Sequence, residues 1–75
     1  MDLIGKVKEV FLTENNNEIG FKIENNNEII EIIEEQNEDN IKIYKDDLVL
    51  LTKTIIQDKV FYDIDLIEGE YDGLI

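Results

Sequence analysis

The sequence contains no cysteine, histidine, tryptophan, proline, alanine, arginine or serine. Each absence closes a route. Without cysteine there is neither a disulfide framework nor a thiolate zinc site. Without histidine and serine there is no imidazole base and no Ser–His triad. Lysine alone supplies the positive charge, with seven residues against nineteen Asp and Glu, so the net charge is −12. No apolar run approaches the roughly 20 residues of a membrane-spanning helix. The opening Met1–Lys6 lacks the basic region and apolar stretch of a signal peptide. The expected location is therefore the cytoplasm, away from membranes. A chain of 75 residues has room for one domain.

What is present is aliphatic and branched. The hydrophobic share is 43%, made of 14 Ile, 7 Leu, 4 Val, 3 Phe, 3 Tyr and 1 Met. Such side chains stabilise by about 1.5–3 kcal/mol each when fully buried, so the chain is expected to fold despite its charge. The two-to-one excess of Ile over Leu favours strands. Abundant Ile, Asn, Lys and Glu, all with AT-rich codons, suggest a low-GC bacterium or one of its viruses.

A short repeat organises the first half. Glu14-Asn15-Asn16-Asn17-Glu18-Ile19 recurs ten residues later as Glu24-Asn25-Asn26-Asn27-Glu28-Ile29. Asn tolerates positive φ and suits tight turns, so the repeat predicts two turns bounding a strand. Ile19, Phe21 and Ile23 alternate with polar residues or Gly between them, as a half-buried strand requires. Leu3 to Thr13 reads as a long first strand. Its apolar side switches partway, which predicts a bend or bulge near Lys8-Glu9.

Glu28 to Glu35 is ambiguous. On a helical wheel its four Ile residues gather opposite its four Glu residues. The β-branching, and the acids that would meet the negative end of a helix dipole, favour a strand. A short helix over 28–36 is the competing reading. Gln36–Asn40 and Lys45-Asp46-Asp47 read as turns, with a short strand at Ile41–Tyr44 between them. Leu48–Ile56 is apolar on both faces, as in a central strand. A turn at Gln57-Asp58-Lys59 leads to a last strand from Val60 to Ile67.

Five or six short strands at about ten-residue spacing predict an all-β fold, a small barrel of SH3-like or OB-like type. The segments Leu3-Ile4-Gly5-Lys6-Val7 and Lys45-Asp46-Asp47-Leu48-Val49-Leu50-Leu51 are similar to short segments of small OB-like barrels, one of these two candidate types. The domain is expected to cover residues 1–67, with 68–75 a loose acidic tail.

The chemistry available to such a domain is narrow. Asp63 and Asp65 share one face of the last strand, but nothing accompanies them to bind an anionic substrate or act as nucleophile. No enzymatic activity is expected. Acids at 63, 65, 68, 70 and 72 supply the oxygen donors that hard cations take. The calcium-loop spacing fails, because Ile67 stands where a ligand is needed and Glu68 where Gly is needed. No metal or cofactor is expected. Direct nucleic-acid binding requires a basic groove, which seven Lys among nineteen acids do not provide.

The charge itself is the most informative feature. Residues 1–13 are neutral overall and residues 40–62 carry +1, whereas residues 14–39 carry −8 and residues 63–75 carry −5. If the fold brings these two acidic blocks together, they make one negative surface, and a field of that kind steers a basic partner. The expected function is a non-enzymatic acidic module that docks on the basic surface of another protein. The natural target is a nucleic-acid-binding protein, whose phosphate sites carboxylates can occupy. In size and charge the chain is similar to small acidic inhibitors carried by bacterial viruses, such as anti-CRISPR and anti-restriction proteins. The contact residues expected are Glu28, Glu31, Glu34, Glu35, Glu38 and Asp39 from the first block. Asp63, Asp65, Glu68, Glu70 and Asp72 follow from the second. The alternative is a structural or assembly barrel that self-associates, for example as a homodimer. Its contact would be an Ile/Leu-rich face drawn from Leu48–Ile56 and from the Ile pairs at 29–30 and 32–33.

Overall fold

The computed structural model describes residues Asp2–Gly69. Five antiparallel strands form one sheet: β1 (Asp2–Phe11), β2 (Glu18–Asn25), β3 (Glu28–Glu35), β4 (Leu48–Ile56) and β5 (Lys59–Glu68). Their spatial order is β3-β2-β1-β4-β5. The fold is all-β, and the ambiguous segment Glu28–Glu35 is a strand, not a helix. Strand wins because Ile30 and Ile32 on one side pack with the core, while Glu31 lies opposite Lys22 on the neighbouring strand.

The sheet does not close into a barrel. β3 and β5 are its free edges, and no ladder joins them. Acidic side chains on both edges oppose further approach, a common means of keeping edge strands from pairing. The short strand expected at Ile41–Tyr44 is also absent. A 3-10 turn occupies Asn40–Lys42, because the side chains of Asn37 and Asn40 bond to local backbone groups and offer an alternative to a sheet ladder.

The bend predicted in β1 is a register shift between Val7 and Glu9 in its pairing with β2. Val7 stays opposite Ile23 of β2 and turns its backbone groups to the other side of the strand. Its N–H donates to the Asp47 carbonyl at 2.9 Å, and its carbonyl accepts from the Asp46 N–H at 2.8 Å. The 45–47 turn, with Asp46 at φ 76°, is thereby fastened to the middle of the central strand. The buried Asp47 carboxylate accepts the Tyr44 N–H at 2.8 Å, and the intervening chain delivers Ile43 to the core.

The core is Val7, Ile19, Phe21, Ile23, Ile32, Ile43, Val49, Leu51 and Ile64. Two close approaches depend on glycine. A Cβ at Gly5 would collide with the Ile23 side chain and lie 2.9 Å from the Glu24 carbonyl, and one at Gly20 would strike the Phe11 ring.

The radius of gyration is 12.2 Å, against roughly 11 Å for a compact chain of this length. Among the described residues β1 pairs with β4 as far as Asp2↔Thr52, and β4 and β5 continue together from Lys53↔Tyr62 to Ile56↔Lys59. The result is a two-stranded arm that projects beyond the three-stranded centre.

Candidate functional site

The two acidic blocks meet where the sheet curls. β3 belongs to the first and β5 to the second, and their free edges flank an open cleft of about 400 Å³. Glu34, Asn37, Asp39, Thr52, Asp63, Ile64 and Asp65 line it. Strand alternation explains the placement of Glu34, and the edge position of β5 that of Asp63 and Asp65. Glu34 follows Ile30 and Ile32 on the core-facing row of β3, at the row's end, so it points toward the interior edge and is half-buried. Asp63 and Asp65 flank buried Ile64 on β5 and are exposed.

The turn between β3 and β4 fixes Glu34. Asn40 is 1% exposed. Its side-chain amide donates to the Glu34 carboxylate at 3.1 Å and to the Glu35 carbonyl at 2.7 Å. Its side-chain oxygen accepts the Asn37 N–H at 2.9 Å. The Asn37 side chain in turn accepts the N–H groups of Asp39 and Asn40, each at 2.8 Å. This closed set of bonds holds the carboxylate while leaving the cleft open on its other side.

Burial raises the pKa of the Glu34 carboxyl above the ordinary range. The hydrogen bond from Asn40 opposes the shift, and the charges of Asp63 and Asp65 reinforce it. That coupling is the electrostatic mark of three carboxylates facing one space.

The remaining acids named from the sequence are distributed differently. Glu31 and Glu35 are exposed on the opposite face of β3 from Glu34. Glu28 stands at the far end of that strand, opposite Asn25. Glu38 is exposed in the loop beside Asp39. Glu68 closes β5 at the other end of the sheet and lines a separate cleft with Lys6, Asp46, Asp47, Leu48 and Gly69. Glu70 and Asp72 lie outside the described residues. Lys42 stands beside the seam, lining an adjoining cleft with Asp39, Asp65 and Leu66, while Lys22 and Lys6 form ion pairs with other acids. Lys22 Nζ lies 3.8 Å from Glu9 and 5.9 Å from the Phe11 ring centroid, and Lys6 lies 4.0 Å from Asp46.

Sequence reasoning missed Asn37, Asn40 and Thr52. The signal for the first two is the three-residue spacing between Asn residues bracketing Glu38-Asp39, which suits side-chain capping of a turn. Among the described residues, no group of three or more Asp or Glu is placed to share a metal ion.

A small open β-sheet with an acidic seam is the class that this geometry defines. No protein-family profile matches the chain, and no characterised protein or solved structure shows significant similarity to it.

Proposed function

We propose that the protein is a non-enzymatic acidic binding module whose β3–β5 seam docks on a basic protein surface. The observation that carries this reading is the convergence of Glu34, Asp39, Asp63 and Asp65, from separate charge blocks, on one cleft. Carboxylates held at strand spacing present acceptor oxygens to Lys and Arg as a nucleic-acid backbone does. The favoured target is a nucleic-acid-binding protein, inhibited by occupation of its phosphate sites. An inhibitor of the anti-CRISPR or anti-restriction type, acting in the cytoplasm of a low-GC bacterium, fits the size and charge. The strand order is that of an OB-like barrel left open between β3 and β5, and the open seam is then where the acids are displayed.

The test is capture from a low-GC bacterial lysate, using the intact chain beside an Asp63→Lys/Asp65→Lys variant. Support would be proteins that bind the wild type at low salt, are released by duplex DNA, and are not retained by the variant. Retention that survives both the reversal and the DNA competitor contradicts the reading.

A further inference from the structure

The arm formed by the ends of β4 and β5 is apolar on both faces. Ile55 and Val60 face each other on one side, 64% and 49% exposed. Ile56 and Phe61, 55% and 51% exposed, occupy the other. An isolated two-stranded hairpin is marginal in water, and nothing in the core requires these side chains.

The edges of the sheet differ in how they are protected. β3 carries Glu28, Glu31, Glu34 and Glu35, and β5 carries Asp63, Asp65 and Glu68. Charged residues of this kind discourage strand pairing. The stretch Thr54-Ile55-Ile56 carries no charge, and no described strand pairs with it on the side that β1 occupies further along β4. Two arms also meet with far less repulsion than two acidic seams would. Residues 53–62 hold Lys53, Lys59 and Asp58, a net +1, in a chain of net −12.

We propose that this arm is a self-association element. The Thr54–Ile56 edge pairs antiparallel with the same edge of a second copy across a two-fold axis, and Ile55, Ile56, Val60 and Phe61 are covered in the contact. A closed two-fold fits a surface that is complementary to itself, and it keeps the two acidic seams apart. Four half-exposed side chains fall short of the roughly 800 Å² per partner of a standard interface, so the dimer is weak and concentration-dependent. This inference does not rest on the acidic seam.

Sedimentation equilibrium of the full chain from about 10 µM to about 1 mM tests it. The expected mass rises from 8.8 kDa toward twice that value. Raising the salt shifts the rise to lower concentration, because repulsion between the acidic bodies is screened while the apolar contact is kept. Ile55→Asp and Phe61→Asp should each leave a folded monomer throughout the range, with circular dichroism unchanged. Amide exchange within Thr54–Ile56 should slow as concentration rises. A chain that stays monomeric at the highest concentration overturns the proposal. So does a dimer that persists in both variants, or one whose capture of basic proteins through the seam is lost on dimerisation while arm amides remain unprotected.

Discussion

The β2–β3 and β4–β5 hairpins turn in the same way and both feed the core, but they differ in what surrounds the residues near the turn. Asn26 and Asn27 have φ of 50° and 67°, and Gln57 and Asp58 have φ of 50° and 66°. Both are two-residue turns with positive φ at each central position, the geometry that matches the twist of paired strands. Both hairpins also alternate branched apolar residues. Phe21, Ile23 and Ile32 of the first are buried, as are Val49, Leu51 and Ile64 in the body of the second; yet Ile55, Val60 and Phe61 near the second turn are all about half exposed, where the first has only Ile29 so exposed beside its turn. The difference is not in the hairpins but in what lies alongside. β1 pairs with β2 from Lys6 to Phe11, whereas its described pairing with β4 spans Asp2↔Thr52 to Lys6↔Leu48 and does not include the arm. Turn chemistry makes a hairpin, and the neighbouring strand decides whether its apolar face becomes core or stays exposed.

The largest expected effect contrasts two phenylalanines. Phe21→Ala should cost about 3–5 kcal/mol, since it empties the centre of the core. Phe61→Ala should change stability by no more than about 0.5 kcal/mol in dilute solution, as surface substitutions do. Urea unfolding of both variants checks this, and equal costs would erase the distinction between the hairpins.

A smaller effect sharpens the comparison of the turns. Asn tolerates positive φ better than Gln. Gln57→Asn should stabilise by about 0.5 kcal/mol, and Asn26→Gln should destabilise by about the same amount. Thermal melts that show the same sign for both would mean that the two turns are not equivalent.

The smallest effect is specific to the seam. The raised pKa of Glu34 means that the folded state takes up a proton before the unfolded chain does. Its contribution to stability is fully present below the ordinary glutamate range and is lost as pH rises through the raised value. Glu34→Gln keeps an acceptor for Asn40 and removes the charge. The variant should therefore gain in melting temperature over the wild type as pH rises from about 4 to about 7, a range set by the ordinary value near 4.3 and its upward shift. A difference that stays constant across that range contradicts the electrostatic account of the cleft.

Much of the fold is legible in residue pattern. The Asn repeat marks the turns around β2, and the change of apolar side in β1 marks the bulge between Val7 and Glu9. The competing helix over 28–36 fails on β-branching, which the pattern already contains. Sheet closure is not legible in this way. Whether β3 meets β5 depends on curl and on repulsion between acids far apart in sequence, and no local spacing encodes either. The 3-10 turn at Asn40–Lys42 escapes for a related reason. Ile41 and Ile43 alternate as in a strand, while the Asn37 and Asn40 side chains bind the backbone more strongly than any neighbouring edge can.

For the site, the charge blocks are readable and the selection within them is not. Glu34 and Glu35 are adjacent and chemically alike, but strand alternation sends the first into the cleft and the second to the opposite face. Register has to be known before the acids can be ranked.

The central claim is that the β3–β5 seam, not acidity in general, recognises a basic surface. An NMR titration of the isotope-labelled chain with a short oligoarginine peptide at low salt tests it most directly. The account predicts chemical-shift changes concentrated at Glu34, Asp39, Asp63 and Asp65, with little movement at Glu9 or Glu28. Small, uniform changes across all the acids, or changes centred away from the seam, would contradict it.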